Sequence, residues 1–171
     1  EDICDDIELP KKPPTKKRPL TPLEKEAVLN IDMEDRKMAF LMIIYGCGTR
    51  RGETLALTKD NFDFESNTLK INNVIVFQKE TPVLKEYPKT DRGIRTIPIP
   101  NDIADRIRPF IESSEGFIFK SAAGKPLTQS GYNALWRSII VNLNYTVGWK
   151  NKGEKPISGL TAHIFRHNYC T

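Results

Sequence analysis

Residues 68–99 carry short β-branched and apolar runs broken by polar stretches, and segments with helical spacing flank this block on both sides. A period of two does not sit in a helix, nor a period near 3.6 in a strand, so the chain must be mixed, with its strands gathered in one place. Residues 68–71 and 73–78 read as one hairpin or bulged strand set, with 85–99 as its continuation. The expected fold class is α+β: a mostly helical domain with a small three-stranded antiparallel sheet.

The helical part is punctuated by local signals. Thr21-Pro22-Leu23-Glu24 offers an N-cap, a proline at the first helical position and the glutamate of a capping box. A second helix is expected over 34–46 and a third from about Arg50 to Thr58. Beyond the strands, 101–113 reads as a helix capped by Asn101, 117–119 as a short buried segment, and 128–144 as a helix with apolar residues three or four apart. Tyr132 and Trp136, four apart on that helix, either stack on DNA or, as is commoner for such pairs, belong to the core. Residues 146–158, with two glycines and three lysines, read as a loop.

Composition narrows the function less. A formal charge of +4 over 171 residues permits DNA binding without requiring it. The longest apolar run, FLMIIYGC, is too short to cross a bilayer, and no signal-peptide pattern is present, so no membrane partner is expected. Cys4, Cys47 and Cys170 are odd in number and lack metal-ligand spacing, and they read as reduced thiols of a cytoplasmic protein. Residues 1–19 form an expected flexible basic linker, EDICDDIE passing into LPKKPPTKKRP, and 20–171 one domain. Lys11, Lys12, Lys16, Lys17 and Arg18 either lie along a DNA backbone or are a solvated charge run.

Three motifs carry chemistry. In LTAHIFRHNYCT, His163 and Arg166 stand three apart on one helix face and can offer an imidazole and a guanidinium to one anion; the alternative is a cap and a surface ion pair. In GTRRGETLAL, Arg50 stands at a helix start, where the macrodipole favours anions, so another reason for its position is expected. Glu53, three residues on, either holds that guanidinium in a fixed fork or is simply the acid a first turn prefers. In YPKTDRGIRTIPI two apolar runs flank a polar turn, which reads as a β-hairpin with Lys89 at its mouth, a proton donor or a solvated lysine. Arg92 and Arg95 alternate with apolar residues there, either touching phosphates or merely solvated.

Taken together and in this order, the three motifs resemble the catalytic domain of the tyrosine recombinases, the phage-integrase family of site-specific DNA recombinases. RPLTPLEKEAV, residues 18–28, resembles the segment that opens that domain. The resemblance implies a site-specific recombinase of a mobile element, acting on double-stranded DNA. It makes Arg50 and Arg166 clamps on the scissile phosphate, Lys89 the general acid, His163 an aid to proton transfer, and Glu53 and His167 supporting residues. Arg92, Arg95, Lys16 and Lys17 become DNA contacts. Neither a metal nor another cofactor is implied, because fixed guanidinium donors offset the charge of the transition state and a phosphotyrosine link conserves the broken bond's energy. The family's nucleophilic tyrosine follows the HxxRH box by a few dozen residues and is expected to be missing here, since Tyr169 has the wrong spacing. The chain thus reads as an inactive monomeric fragment of a protein that assembles as a tetramer on DNA. The alternatives are a DNA-binding protein of the same fold that has lost catalysis, and an enzyme like the type IB topoisomerases.

Overall fold

The protein is seen in a computed structural model that describes residues 18–87 and 93–169. Helix α1 (Pro22–Leu29) begins where the local signals put it. The Thr21 hydroxyl accepts from the Glu24 amide at 3.2 Å, and the Glu24 carboxylate accepts from the Thr21 amide at 2.8 Å. The same buried carboxylate accepts from both terminal nitrogens of Arg18, each at 2.7 Å. Arg18 is therefore anchored to the domain by a fork rather than solvated in a linker. Lys11, Lys12, Lys16 and Lys17 lie outside the described residues.

Helix α2 (Asp35–Cys47) is apolar on nearly every side, and from Met38 to Ile44 no residue is more than 8% exposed. A helix of that kind has to be enclosed. Around it pack α3 (Arg51–Leu55), α4 (Asn101–Glu112), α5 (Gln129–Thr146) and α6 (Ala162–Tyr169). Phe40 meets Phe119 edge-on, with ring centroids 5.0 Å apart, and Trp136 stands between Phe40 and Phe165 in the same manner. Tyr132 and Trp136 both belong to this core, and the indole N–H of Trp136 donates to the Leu160 carbonyl at 3.1 Å. Burial pushes the Cys47 thiol up to about 12, which leaves it protonated and unreactive. Among the described residues no helix is long and apolar enough to cross a membrane.

The strands depart from the sequence reading in their pairing. β1 (Phe62–Asp63), β2 (Thr68–Ile71) and β5 (Arg95–Pro98) form a three-stranded antiparallel sheet in the order β1-β2-β5. β3 (Asn73–Gln78) and β4 (Thr81–Glu86) form a separate two-stranded ribbon. No hairpin joins β2 to β3, because Asn72 alone separates them and the tightest hairpin loop needs two residues. The chain passes through Asn72 from one sheet to the other, and the Asn72 carbonyl accepts from the Tyr87 amide at 2.9 Å. β3 turns back at Lys79-Glu80, with Lys79 at φ +57°, and Glu80 clips this tip to α5 by accepting from the amide and hydroxyl of Ser130. β4 begins before Lys85 because Pro82 is tolerated on an edge strand, which does not need its missing N–H.

Residues 88–92, the turn of the hairpin expected over 87–99, lie outside the described residues. On either side of them, β4 pairs with β3 and β5 with β2, Ile71 opposite Arg95 and Leu69 opposite Ile97. Two smaller corrections concern caps. Pro100 takes the N-cap position of α4, leaving Asn101 inside the helix with its side-chain oxygen accepting from Asn67 at 2.9 Å. α5 runs two residues beyond 144, capped by the Thr128 hydroxyl on the Gly131 amide.

Candidate active site

The site starts where α2 ends. Gly48 takes the left-handed conformation, φ +59°, that stops the helix, and Thr49 and Arg50 then lead into α3. The hydroxyls of Thr49 and Thr54 bond each other at 2.7 Å inside the protein and lock this turn. Arg50 is the N-cap residue of α3 with an extended backbone, which throws its side chain outward; that side chain is 54% exposed.

Glu53 stands beneath it, fully buried, and its carboxylate gathers five donors. Oε1 accepts from Arg50 Nη1 at 2.8 Å, Tyr87 Oη at 3.0 Å and Arg95 Nη1 at 3.0 Å. Oε2 accepts from the Arg50 amide at 2.8 Å and Arg95 Nη2 at 2.7 Å. Burial acts to raise the Glu53 pKa, but the bonds from Arg95, from the Arg50 backbone and from the Arg50 side chain outweigh it and hold the carboxyl at about 2. Both sequence readings of Glu53 meet here: it accepts from the Arg50 amide as a first-turn acid and holds the Arg50 guanidinium through one bond, while the two-pronged fork is made by Arg95. The Arg95 guanidinium, left open in the sequence between a phosphate contact and solvation, is turned to Glu53. A buried carboxylate 42 positions earlier needs that second counter-charge, and no local pattern reveals the pairing.

The second arginine arrives from the other end of the chain. α6 is held by Phe165, which is fully buried, and by Arg166, whose Nη1 donates to the Gly48 carbonyl at 2.7 Å. That bond spans 118 positions and brings the guanidinium beside the Arg50 turn. Tyr169 stays outside the core. It is 43% exposed and its ring lies against Gly48, where a Cβ would come within 2.3 Å of Cδ1. One turn earlier, His163 and His167 meet edge to face with Nε2 atoms 3.0 Å apart. One of these nitrogens must donate and the other accept, so the pair holds a proton between two rings at the cleft edge.

Arg50, His163 and Arg166 line a single cleft of about 670 Å³ between α3, α6 and the β3–β4 ribbon. Two further cations that sequence reasoning missed line the cleft, one from the ribbon and one from α3. Lys79 projects from the ribbon's tip, and Arg51 lines the cleft with its guanidinium 5.3 Å from the Phe77 ring centre and 4.9 Å from that of Tyr132. Arg51 is adjacent to Arg50, but its aromatic seat comes from residues 26 and 81 positions away, so no local signal could have marked it. Among the described residues no carboxylate lines the cleft. Such a surface is built for an anion, and its arginines can take non-bridging phosphate oxygens. Among the described residues no three His, Cys, Asp or Glu side chains gather as metal ligands. Lys89 and Arg92 lie outside the described residues.

The ribbon can approach only because residue 52 is glycine. A Cβ there would meet the Ile75 carbonyl oxygen at 2.4 Å, a backbone atom that cannot swing aside. Gly52→Ala is expected to push β3 away from α3 and to cost about 1–3 kcal/mol of stability, read as a lowered urea midpoint. An unchanged midpoint would mean that the ribbon is not seated on α3.

Residues 20–171 match the model of the phage integrase family. Among curated proteins, the transposase from transposon Tn916 of Enterococcus faecalis is 24% identical over 170 residues, covering 85% of this chain and 40% of that protein. A tyrosine recombinase XerC-like protein of Caldanaerobacter subterraneus subsp. tengcongensis is 24% identical over 160 residues, covering 80% of this chain and 38% of its own. Among solved structures, the Tn1549 transposon integrase in complex with a circular intermediate DNA superposes with a TM-score of 0.70 at 22% identity, over 99% of this chain and 56% of that one. The XerA recombinase gives 0.61 at 16% identity, over 93% and 51%. At these identities the superpositions establish the fold. The chain spans 40% of the length of the first of these curated relatives.

Proposed function

The chain belongs to the phage integrase family, and from that premise we propose that it is the phosphate-gripping part of a site-specific recombinase of a mobile element. The observation that carries this reading is the meeting of Arg50, His163 and Arg166, from opposite ends of the sequence, in one cleft that no described carboxylate enters. The substrate is a phosphodiester of double-stranded DNA. Arg50 and Arg166 hold its non-bridging oxygens and offset the charge that grows as a tyrosine oxygen attacks phosphorus. The bond to the 5′-oxygen breaks as the 3′-phosphotyrosine bond forms. Lys89 supplies the proton to the departing oxygen, while the His163–His167 pair handles the proton on the attacking side. Glu53 positions Arg50. Arg92, Lys16 and Lys17 neutralise neighbouring phosphates, and the protein works as a tetramer on DNA in the cytoplasm. No tyrosine among residues 1–171 is assigned as that nucleophile.

The relative named a transposase from a transposon and the transposon integrase seen in complex with a circular intermediate DNA support the substrate class. The chain itself should bind duplex DNA through phosphates. With about five of them neutralised, raising salt from about 50 to 200 mM weakens binding roughly 500-fold. A salt-insensitive affinity, or none at low salt, removes the phosphate cleft. The intact protein incubated with nicked duplex should form a covalent adduct that survives denaturing electrophoresis. DNA binding with no adduct would favour a non-catalytic member of the fold, and relaxation of supercoiled DNA without paired sites would favour a topoisomerase.

A further inference from the structure

An arginine tied to a glutamate is a poor phosphate ligand. At 2.8 Å the Arg50–Glu53 pair alone would present a dipole to the cleft rather than a charge, and the oxygens of a phosphate would be repelled by the carboxylate behind the guanidinium. Glu53, however, carries two guanidinium groups. Arg95 binds it through both terminal nitrogens, at 3.0 and 2.7 Å, and Tyr87 adds a neutral donor at 3.0 Å. Two cations on one anion leave the trio with one net positive charge.

Burial decides where that charge faces. Glu53 is fully enclosed, the Arg95 side chain is 24% exposed, and that of Arg50 is 54% exposed. Arg50 lines the cleft, whereas Glu53 and Arg95 do not. The uncancelled charge therefore appears at Arg50, on the side where the ligand arrives.

We infer that Arg95 is a positioning residue that neutralises Glu53 from behind, so that Arg50 keeps both a fixed geometry and its full positive charge for a DNA phosphate. This rests on the phosphate-clamp reading above. Arg95 touches no substrate in this scheme. Its place at the start of β5, opposite Ile71 of β2, fixes its approach to Glu53 through the three-stranded sheet.

The test measures binding of a 20-base-pair duplex to the 171-residue chain by fluorescence anisotropy across a salt series, with thermal unfolding of every variant. Arg50→Ala removes one phosphate contact, so the slope of log affinity against log salt falls by about 0.9 and affinity at low salt drops roughly tenfold. Arg95→Gln should do the same from outside the cleft, because Glu53 then cancels Arg50. Arg95→Lys keeps the charge and should stay close to the parent slope. The decisive variant is the double replacement E53Q/R95Q, which removes the carboxylate together with its partner and should restore the slope although Arg95 is gone. Should the double variant stay as weak as Arg95→Gln, Arg95 binds DNA directly and the inference is overturned. A slope for Arg95→Lys as low as that of Arg95→Gln also overturns it, since fork geometry rather than charge would then be at work. If Arg50→Ala leaves the slope unchanged, the clamp reading itself fails. Where Arg95→Gln does not fold, Arg95→Lys and the double variant still decide.

Discussion

On the proposed function, Arg50→Ala in the full-length protein is expected to slow DNA strand cleavage roughly 10²- to 10³-fold, the usual cost of one preorganised donor at a developing oxyanion. Binding of uncut DNA falls far less, roughly tenfold, because a single phosphate contact among several is lost. Single-turnover formation of the covalent adduct on nicked duplex separates the two effects. The fold should survive the change: the Arg50 side chain is about half exposed, and its amide still donates to Glu53. Arg50→Lys keeps the charge but cannot hold both the carboxylate and a phosphate oxygen with one planar fork, and it should recover only part of the rate. Equal losses in binding and cleavage would assign Arg50 to ground-state attraction rather than to the transition state.

Glu53→Ala gives the largest loss of stability, about 3–5 kcal/mol, because two guanidinium groups, a backbone amide and a tyrosine hydroxyl lose their shared acceptor inside the protein. The parent's response to acid should carry the same signature. The Glu53 carboxyl sits near 2 in the folded chain against an ordinary value of 4.5, so its stabilisation is fully present above the higher value. As pH falls from 4.5 toward 2 the folded carboxylate gives up its advantage, worth about 3 kcal/mol over the whole interval. Urea midpoints of parent and variant, followed with pH, should stay a fixed distance apart above about pH 5 and converge below it. Parallel curves down to acid would show that the Arg50 and Arg95 bonds do not hold Glu53 ionised.

How much of this could be read from residues alone depended on distance along the chain. The start of α1 was legible because Thr21, Pro22 and Glu24 interact within one turn. The Arg50–Glu53 pair was legible for the same reason. The HxxR spacing put His163 and Arg166 on one face, and the structure brings both to the cleft that holds Arg50. What failed was pairing between remote partners. Ile71 chooses Arg95 rather than Asn73 because the chain changes sheets at Asn72, and a strand's own alternation cannot say which neighbour it will take. Arg95 looked like a surface cation because its acid is Glu53, reached only after the sheet has formed. The seat of Arg51 between Phe77 and Tyr132 is likewise a product of docking the ribbon on α5.

The bond from Arg166 to the Gly48 carbonyl joins residues 118 positions apart, so the cleft is absent until α6 has been made and docked. Contacts of such long sequence separation form late in folding. On the ribosome, the Arg50 turn emerges long before its counterpart, and for that interval the growing chain has a core but only half a grip. A nascent or prematurely ended chain therefore presents the Arg50 turn without Arg166, and the paired anion-binding surface appears only once α6 is in place.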